Sequence, residues 1–283
     1  MAVLPPTIEE VQDAAGPRRR RGKGQRAASR TLETVGPVLL LLVVATVVMQ
    51  AVVDQGNIRP EVLPSPSRVI RSGWAAREAI WQNTVPTLQV TAIGFAVSLV
   101  VGWLLAIIVD FSRFARRALT PILVASQTVP IIAVAPLMII WFGFGLLPKV
   151  IVVALVTFFP VTIGLIEGFD STPKEASSLL ASMGAGKWRT FRYVRLPSAM
   201  PSFFTSLRIG ITYAVTGAIF AEYVGAKYGL GIYMSMQKNS FRTDLVLAAV
   251  LVTSLISILL FLSTYLLQRL VIPWYGQEKR SQT

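Results

Sequence analysis

Six long runs of apolar residues divide this chain, and they limit its fold more than any other feature. The first run, 35–53, holds nineteen residues without a charge, which is long enough to cross the hydrocarbon core of a bilayer as an α-helix. Because lipid offers no partner for backbone hydrogen bonds, each run must satisfy them internally, as a helix does. The sequence therefore predicts an all-α integral membrane protein with six transmembrane helices. The other five runs are 85–109, 122–142, 150–166, 203–220 and 245–271.

The composition agrees with this class and removes several others. Of the 283 residues, 53% are hydrophobic and 14% are charged, which is far more apolar sequence than a soluble domain of this size needs. The chain has no cysteine, which excludes disulfides and thiolate metal sites. It has no histidine, the most common general base and metal ligand, and its carboxylates are not clustered. We therefore expect a protein that is not itself an enzyme.

Lysine and arginine are distributed unevenly between the two sets of loops that six spans create. Nineteen of the 27 fall in the tail 1–34, the loop 110–120, the insert 171–201 with its flank, and the C-terminal end, whereas eight fall in the opposite loops. Because cytoplasmic loops carry the excess of positive charge, both termini and the insert are predicted to be cytoplasmic. Topology thus explains the net charge of +13, and no nucleic-acid partner is required.

These features divide the chain into four parts. Residues 1–34 form a basic cytoplasmic tail that we expect to be disordered; binding to anionic lipid or nucleic acid is the alternative interpretation of its charge. Residues 35–84 hold the first span and an outer amphipathic segment. Residues 85–272 form the membrane core with its cytoplasmic loop 171–201, and 273–283 form a second cytoplasmic tail.

The loop 171–201 is too charged for lipid, yet it is patterned as a short helix. Thr172 and Glu175 have the spacing of a capping box, Pro173 suits the first helical position, and Gly184 and Gly186 are placed to end the helix. The pattern predicts a helix with an apolar face at the cytoplasmic surface, which either docks another protein or lies on lipid. That face consists of Ala176, Leu179, Leu180 and Met183.

The sequence contains no ATP-binding motif of the phosphate-binding-loop kind. The stretches GPRRRRGKG and ASMGAGKW contain Gly-Lys, but neither has the spacing of a phosphate-binding loop, and neither lysine precedes Ser or Thr. If the chain works against a gradient, a partner must hold the ATP. Ionisable groups are nearly absent from the spans, which argues against a proton-driven carrier.

A few polar residues are candidates for a translocation pathway. Gln127 and Thr128 lie just before Pro130, where a break in the helix can open a cavity. Thr216 is a candidate in the fifth span, with a helix-packing hydrogen bond as its alternative role. Glu222 near the end of that span is costly to bury unpaired, so it either lines water or pairs with a cation.

The loop 171–201 resembles that of permease subunits in bacterial binding-protein-dependent importers of the ATP-binding cassette class. Those permeases carry a loop with E-A-A, then glycine, then I-x-L-P. The resemblance extends over about 80–275, and one position departs from it: Ser178 stands six residues before the glycine, where the family has its acid, and Glu175 stands nine before. The matching residues are Gly184, Ala185, Trp188, Phe191, Val194, Leu196, Pro197 and Pro201.

This resemblance implies the type I importer permease fold in a bacterial inner membrane, with 85–272 as the permease core. It implies two ATPase subunits that hold ATP and Mg, so that no cofactor is expected on this chain. It further implies an extracytoplasmic solute-binding protein and a second copy of the permease. The residues it assigns to ATPase coupling are Glu175, Ala176, Leu179, Leu180, Met183, Gly184, Ala185, Leu196 and Pro197.

Within that family the chain is most similar to the nitrate, sulfonate and taurine group. The similarity is carried by WFGFGLLPK, LLASMGA and YGLGIYMSMQKNSFRTDLV, which also resemble members assigned to thiamine-precursor pyrimidines or riboflavin. The implied cargo is a small solute of one of these kinds. A secondary carrier that works alone is the alternative function.

Overall fold

The computed structural model describes residues 23–56 and 58–273, so the tails 1–22 and 274–283 lie outside the described residues. The chain divides into two compact units, one up to Asn57 and one from Ile58 onward. The first unit contains helix α1, Lys23–Gln55, whose part Gly36–Gln55 is long and apolar enough to span a membrane. Helix α1 begins well before the predicted span. The expected disorder over 1–34 is therefore wrong for 23–34, where alanine, arginine and leucine favour a helix.

The second unit is built from helices, and no β-strand occurs in the described ranges. Its elements are α2 Pro66–Ala75, α3 Arg77–Phe111, α4 Arg113–Ser126, α5 Ile131–Phe142, α6 Leu146–Asp170, α7 Lys174–Ser182, α8 Lys187–Thr190, a π-helical segment Phe191–Arg195, α9 Leu196–Gly225, α10 Leu230–Asn239 and α11 Thr243–Val271.

The described helices provide five clear membrane spans and a sixth that is bent. The continuous helical stretch Lys187–Gly225 and helices α1, α3, α6 and α11 are each long and apolar enough to cross a membrane. Helices α4 and α5 meet the same criterion only together, and they bend by 99° at the break between them. The predicted total of six is reached when this pair counts as one span. The break falls at Gln127–Pro130, where the sequence predicted it.

The connections between the spans contain helices. The loop expected over 110–120 is absent, because α3 runs to Phe111 and α4 begins at Arg113, with the Ser112 hydroxyl accepting from the Ala115 N–H. Phe114, Ala115, Ala118 and Leu119 alternate with the arginines there, so the stretch is amphipathic. The outer amphipathic segment predicted within 35–84 holds α2 and the start of α3, and the stretch between the fifth and sixth apolar runs holds α10.

The core lies where α3, α6 and α9 pack together. Val153, Val161, Leu165 and Phe169 of α6 are buried there. The helices approach closely at small residues: a Cβ on Gly168 would lie 2.9 Å from the Cα of Ala199. Such contacts are typical of helices that pack within membranes. This packing brings the C-terminal ends of α3 and α6 together beside the π segment.

Candidate coupling surface and translocation cleft

Of the apolar face predicted for α7, Leu179 and Met183 are left uncovered by the rest of the described chain, whereas Ala176 and Leu180 are half-buried. The side chains of Leu179 and Met183 are 63% and 75% exposed, and no residue of α7 is buried. Its main contacts are with α8 and the π segment that follow it. Exposed apolar side chains in such an arrangement mark a surface that binds another molecule.

The C-terminal end of α7 is closed as the sequence predicted. Gly184 has a φ of 78°, the left-handed conformation that glycine adopts without steric cost. The Ala185 N–H donates to the Leu180 carbonyl at 2.9 Å, and the Gly184 N–H donates to the Ala181 carbonyl at 3.0 Å. This pair of bonds is a Schellman motif, so Gly184 ends the helix through its backbone.

The predicted capping box at the other end of α7 is wrong. Pro173 occupies the N-cap position, with a ψ of 125°, and the end has no side-chain cap. Thr172 therefore lies one residue too early, and its buried hydroxyl has no hydrogen-bond partner among the described residues. Glu175 is exposed in the first turn, where its charge interacts favourably with the helix dipole.

An aromatic cluster holds the segment after α7 against the core. Phe191 is buried, and its ring centroid lies 5.3 Å from that of Phe111 and 5.4 Å from that of Phe169. Trp188 stacks on Phe191 at 5.6 Å. Because Phe111 ends α3 and Phe169 lies at the end of α6, the π segment is packed against both helix ends. Leu196 and Pro197 then form the first turn of α9, where proline is tolerated.

Ion pairs join the same helix ends. Arg195 Nη2 lies 2.7 Å from Asp110 Oδ1, and Arg116 Nη1 lies 2.7 Å from Asp170 Oδ2. Arg116 Nη2 also lies 3.8 Å from Asp110 Oδ1, which connects the two pairs. Sequence reasoning missed this group. The signal was an acid beside a phenylalanine at the end of each of two spans, Asp110–Phe111 and Phe169–Asp170.

The break between α4 and α5 opens onto a cleft of about 660 Å³. Gln127 lines this cleft, Thr128 lies beside it in the break, and both are exposed. Tyr213 of α9 lines the opposite side, and Thr216 lies one turn further along the same exposed face. The structure therefore brings Gln127 and Thr128 near the α9 face that carries Thr216. Tyr213 was missed, although its spacing to Thr216 was a signal for it.

Glu222 lies on a different side of α9 and has a structural partner. It is fully buried, and six residues of helix turn it away from the face of Thr216. Its Oε2 accepts from the Gly231 N–H and from the Thr87 hydroxyl, each at 2.9 Å. Both partners are protein groups, and Oε1 of the same carboxyl is buried without a hydrogen-bond partner among the described residues. The structure does not group Glu222 with Gln127, Thr128 and Thr216.

Three side chains together cap the N-terminal end of α10. Gly229 N donates to Asn83 Oδ1 at 2.9 Å, and Leu230 N donates to Thr87 Oγ1 at 2.8 Å. With Gly231 N bound by Glu222, three successive N–H groups that a helix cannot satisfy internally are paired. Helix α10 is thereby attached to α3 and α9.

A membrane-embedded helical subunit with an uncovered surface helix and a cleft at a broken span is the architecture of a transport permease. Residues 73–277 match the family described as binding-protein-dependent transport system inner membrane component. The chain belongs to this family. It is a permease subunit of an ATP-binding cassette importer and a multi-pass protein of the plasma membrane.

Similar proteins include permeases with different stated cargoes. The chain is 36% identical over 252 residues to the formylaminopyrimidine transport permease protein ThiX of Halalkalibacterium halodurans, covering 88% of this chain and 99% of ThiX. It is 37% identical over 240 residues to the riboflavin transport system permease protein RibX of Chloroflexus aurantiacus, covering 84% and 89%. The taurine transport system permease protein TauC of Escherichia coli is 30% identical over 227 residues, covering 78% and 82%.

The fold also matches solved transporters at low sequence identity. A chain of the inward-facing MetNI methionine ABC transporter superposes with a TM-score of 0.56 at 19% identity, covering 70% of this chain and 96% of that one. A chain of an amino acid ABC transporter gives the same TM-score at 16% identity, covering 70% and 95%. These matches confirm the predicted importer permease fold.

Proposed function

We propose that this permease passes a small solute from an extracytoplasmic binding protein into the cytoplasm, driven by a separate pair of ATPase subunits that dock on α7. In this proposal α7 faces the cytoplasm, both termini lie on that side, and two copies of the chain form the pathway. ATP and Mg bind to the partner subunits. Closure of the ATPase pair moves α7, and the helices of the permease alternate between inward- and outward-facing arrangements.

The observation that supports the proposal is the exposed face of Leu179 and Met183 on a helix with defined ends. A lipid-binding helix needs only an apolar face, whereas a lever also needs a firm connection to the spans. Helix α7 has one, because it contacts the π segment, whose Phe191 packs against Phe111 and Phe169 at the ends of α3 and α6. The excess of lysine and arginine on the same side supports the cytoplasmic orientation.

Two groups of cargo follow from the relatives. Formylaminopyrimidine and riboflavin are the solutes that the names of ThiX and RibX give, and taurine is the solute in the name of TauC. We propose that this chain carries a small solute of one of these kinds. The test compares cells that express this permease with its binding protein and ATPase against cells that lack the permease gene. Uptake of each radiolabelled compound by the two measures which solute is transported.

Docking on α7 is tested by changing one apolar side chain. Leu179→Glu places a charge on the exposed face, so we expect the permease to insert normally and to lose its co-purifying ATPase subunit. Ala181→Glu is the matched control, because Ala181 is exposed on the opposite side of the same helix. Retention of the ATPase by Leu179→Glu would contradict the proposal. Uptake by the purified permease in vesicles without any ATPase would favour the secondary carrier instead.

A further inference from the structure

The coupling segment, defined as residues 171–194, is flanked on each side by a charged residue. Asp170 precedes it directly and ends α6, and Arg195 follows it directly and ends the π segment. Both flanking residues are ion-paired, and their partners lie on α3 and α4. The two ends of the coupling segment are therefore fixed to the same place in the protein.

The partners of these two residues also contact each other. Arg195 pairs with Asp110, Asp170 pairs with Arg116, and Arg116 lies 3.8 Å from Asp110. Arg195 Nη2 also donates to the Phe169 carbonyl at 3.3 Å, which adds a bond to the end of α6. We call Asp110, Arg116, Asp170 and Arg195 the clasp. It joins α3, α4, α6 and the π segment.

The clasp is suited to holding these elements at fixed separations. The Asp110 side chain is only 3% exposed, and attraction between charges is stronger where water is excluded. Two acids and two arginines leave the group without net charge. The aromatic contacts of Phe191 with Phe111 and Phe169 lie beside it and limit sliding between the same helix ends. Removing Arg195 would leave the buried Asp110 with only the longer contact to Arg116, which is costly.

Arg116, one member of the clasp, lies on the helix that ends beside the cleft. Arg116 lies near the start of α4, which is separated from α3 by Ser112 alone. Helix α4 then runs as one continuous helix to Ser126, next to Gln127 in the cleft. Arg116 and the residue beside the cleft therefore lie on one helix, which includes Pro121.

We propose that the clasp carries movement of the coupling segment to α4, and through α4 to the break at Gln127–Pro130. Arg116 acts as a positioning residue that links ATPase-driven motion to the shape of the cleft. This inference rests on the proposed docking of the ATPase on α7, and it adds the route by which that docking reaches the pathway.

The test measures the cleft rather than transport. The chain contains no cysteine, so Gln127→Cys introduces a single reporter whose rate of modification by a charged, water-soluble thiol reagent is measured in the complex with a cysteine-free ATPase. With the clasp intact, we expect ATP to change this rate about tenfold, as typical coupling energies allow. Added Arg116→Gln should reduce the ATP effect to within about twofold while ATP hydrolysis continues.

Matched variants separate the clasp from general damage. Arg117→Gln removes the neighbouring, exposed arginine of the same helix and should leave the ATP effect unchanged. Arg116→Lys keeps the charge but not the two-sided geometry, so it should restore part of the effect. If Arg116→Gln does not fold, Asp170→Asn removes the Arg116–Asp170 ion pair at a half-exposed residue. It should reduce the ATP effect on the labelling rate as Arg116→Gln does.

The outcomes also separate this inference from the function on which it rests. An unchanged ATP effect in Arg116→Gln, or in Asp170→Asn, would overturn the clasp proposal while leaving docking on α7 intact. Failure of Leu179→Glu to release the ATPase would instead overturn the docking proposal itself.

Discussion

Gly184 shows how one residue sets the length of α7. There is open space around it for a side chain, so packing does not require glycine there. Its φ of 78° requires glycine, because a Cβ in the left-handed conformation crowds the following carbonyl oxygen. Gly186 also has open space, but its φ of −70° suits any residue. The sequence marked both glycines as ends of the helix, and only the backbone angles distinguish them.

We therefore expect Gly184→Ala and Gly186→Ala to differ. Gly184→Ala should destabilise the end of α7 by about 1 kcal/mol and reduce ATPase stimulation by the loaded binding protein severalfold. Gly186→Ala should leave stimulation unchanged. The measurement is ATP hydrolysis by the purified complex with and without that protein. Equal effects of the two changes would show that the Schellman motif is not required.

The sequence did not predict the hydrogen-bond partners of single residues when those partners lie far away in the chain. The cost of burying Glu222 was evident from its position near the end of a span. Its partners were not, because Thr87 lies on α3 and Gly231 lies across a turn on α10. The capping box failed for a local reason: the proline that was expected inside the helix takes the cap position itself.

At the scale of helices, α10 illustrates how a short element is held by others. Its first N–H groups are bound by Asn83 and Thr87, one turn apart on α3, and by Glu222 of α9. A helix of ten residues is marginal alone, so these attachments and its buried residues determine its position. Buried members such as Leu230 and Tyr233 pack with Val69 of α2 and Leu245 of α11.

Replacing Glu222 should therefore loosen α10. Glu222→Leu leaves the Gly231 N–H without its acceptor, and we expect a loss of about 1–3 kcal/mol in the free energy of unfolding. Glu222→Gln keeps an acceptor oxygen and should cost less. Glu167→Leu, the same change at an exposed glutamate of α6, should shift stability by about 0.5 kcal/mol or less. Thermal unfolding of the purified protein measures all three. A Glu222→Leu protein as stable as the parent would show that the cap is dispensable.

Helix α4 shows the limit of prediction from sequence for elements. Its three arginines suggested a loop, since charges are unfavourable in lipid. The structure places them in an amphipathic helix in which Arg116 has acidic partners on two other elements. The long apolar spans needed no such partners. Five of the six predicted runs lie within single helices, and the run 122–142 is divided between α4 and α5 by the bend. Apolar length alone identifies a span, whereas an ion pair depends on how spans are arranged.

For the whole molecule, the distribution of charge predicts which end faces the cytoplasm. Helix α7 and the clasp lie in the arginine-rich segments, and the turn between α9 and α10 lies in the opposite set. This orientation rests on the positive-inside rule. The general fold was predicted correctly because membrane insertion requires long apolar helices. The grouping of Gln127 with Tyr213, and its separation from Glu222, required the folded arrangement.

Cysteine labelling in whole cells tests the orientation. Ser178→Cys on α7 and Lys227→Cys between α9 and α10 are both at exposed positions in a chain that has no other cysteine. We expect a thiol reagent that cannot cross membranes to label Lys227→Cys in intact cells. Ser178→Cys should be labelled only after the cells are opened. The reverse pattern would place α7 outside and would contradict docking to an ATPase.

The π segment Phe191–Arg195 gives this permease an unusual tolerance of deletion at one point. A π turn holds one residue more than an α turn, so loss of one codon there, such as that of exposed Arg192, would let the stretch Lys187–Gly225 rewind as uninterrupted α-helix. Because the removed residue is the extra one, the residues before it would keep nearly the same rotation relative to α9, whereas loss of a residue from a regular α-helix rotates them by about 100°. Trp188 would therefore still face Phe111, and the same loss a few residues further on, within α9, would turn it away.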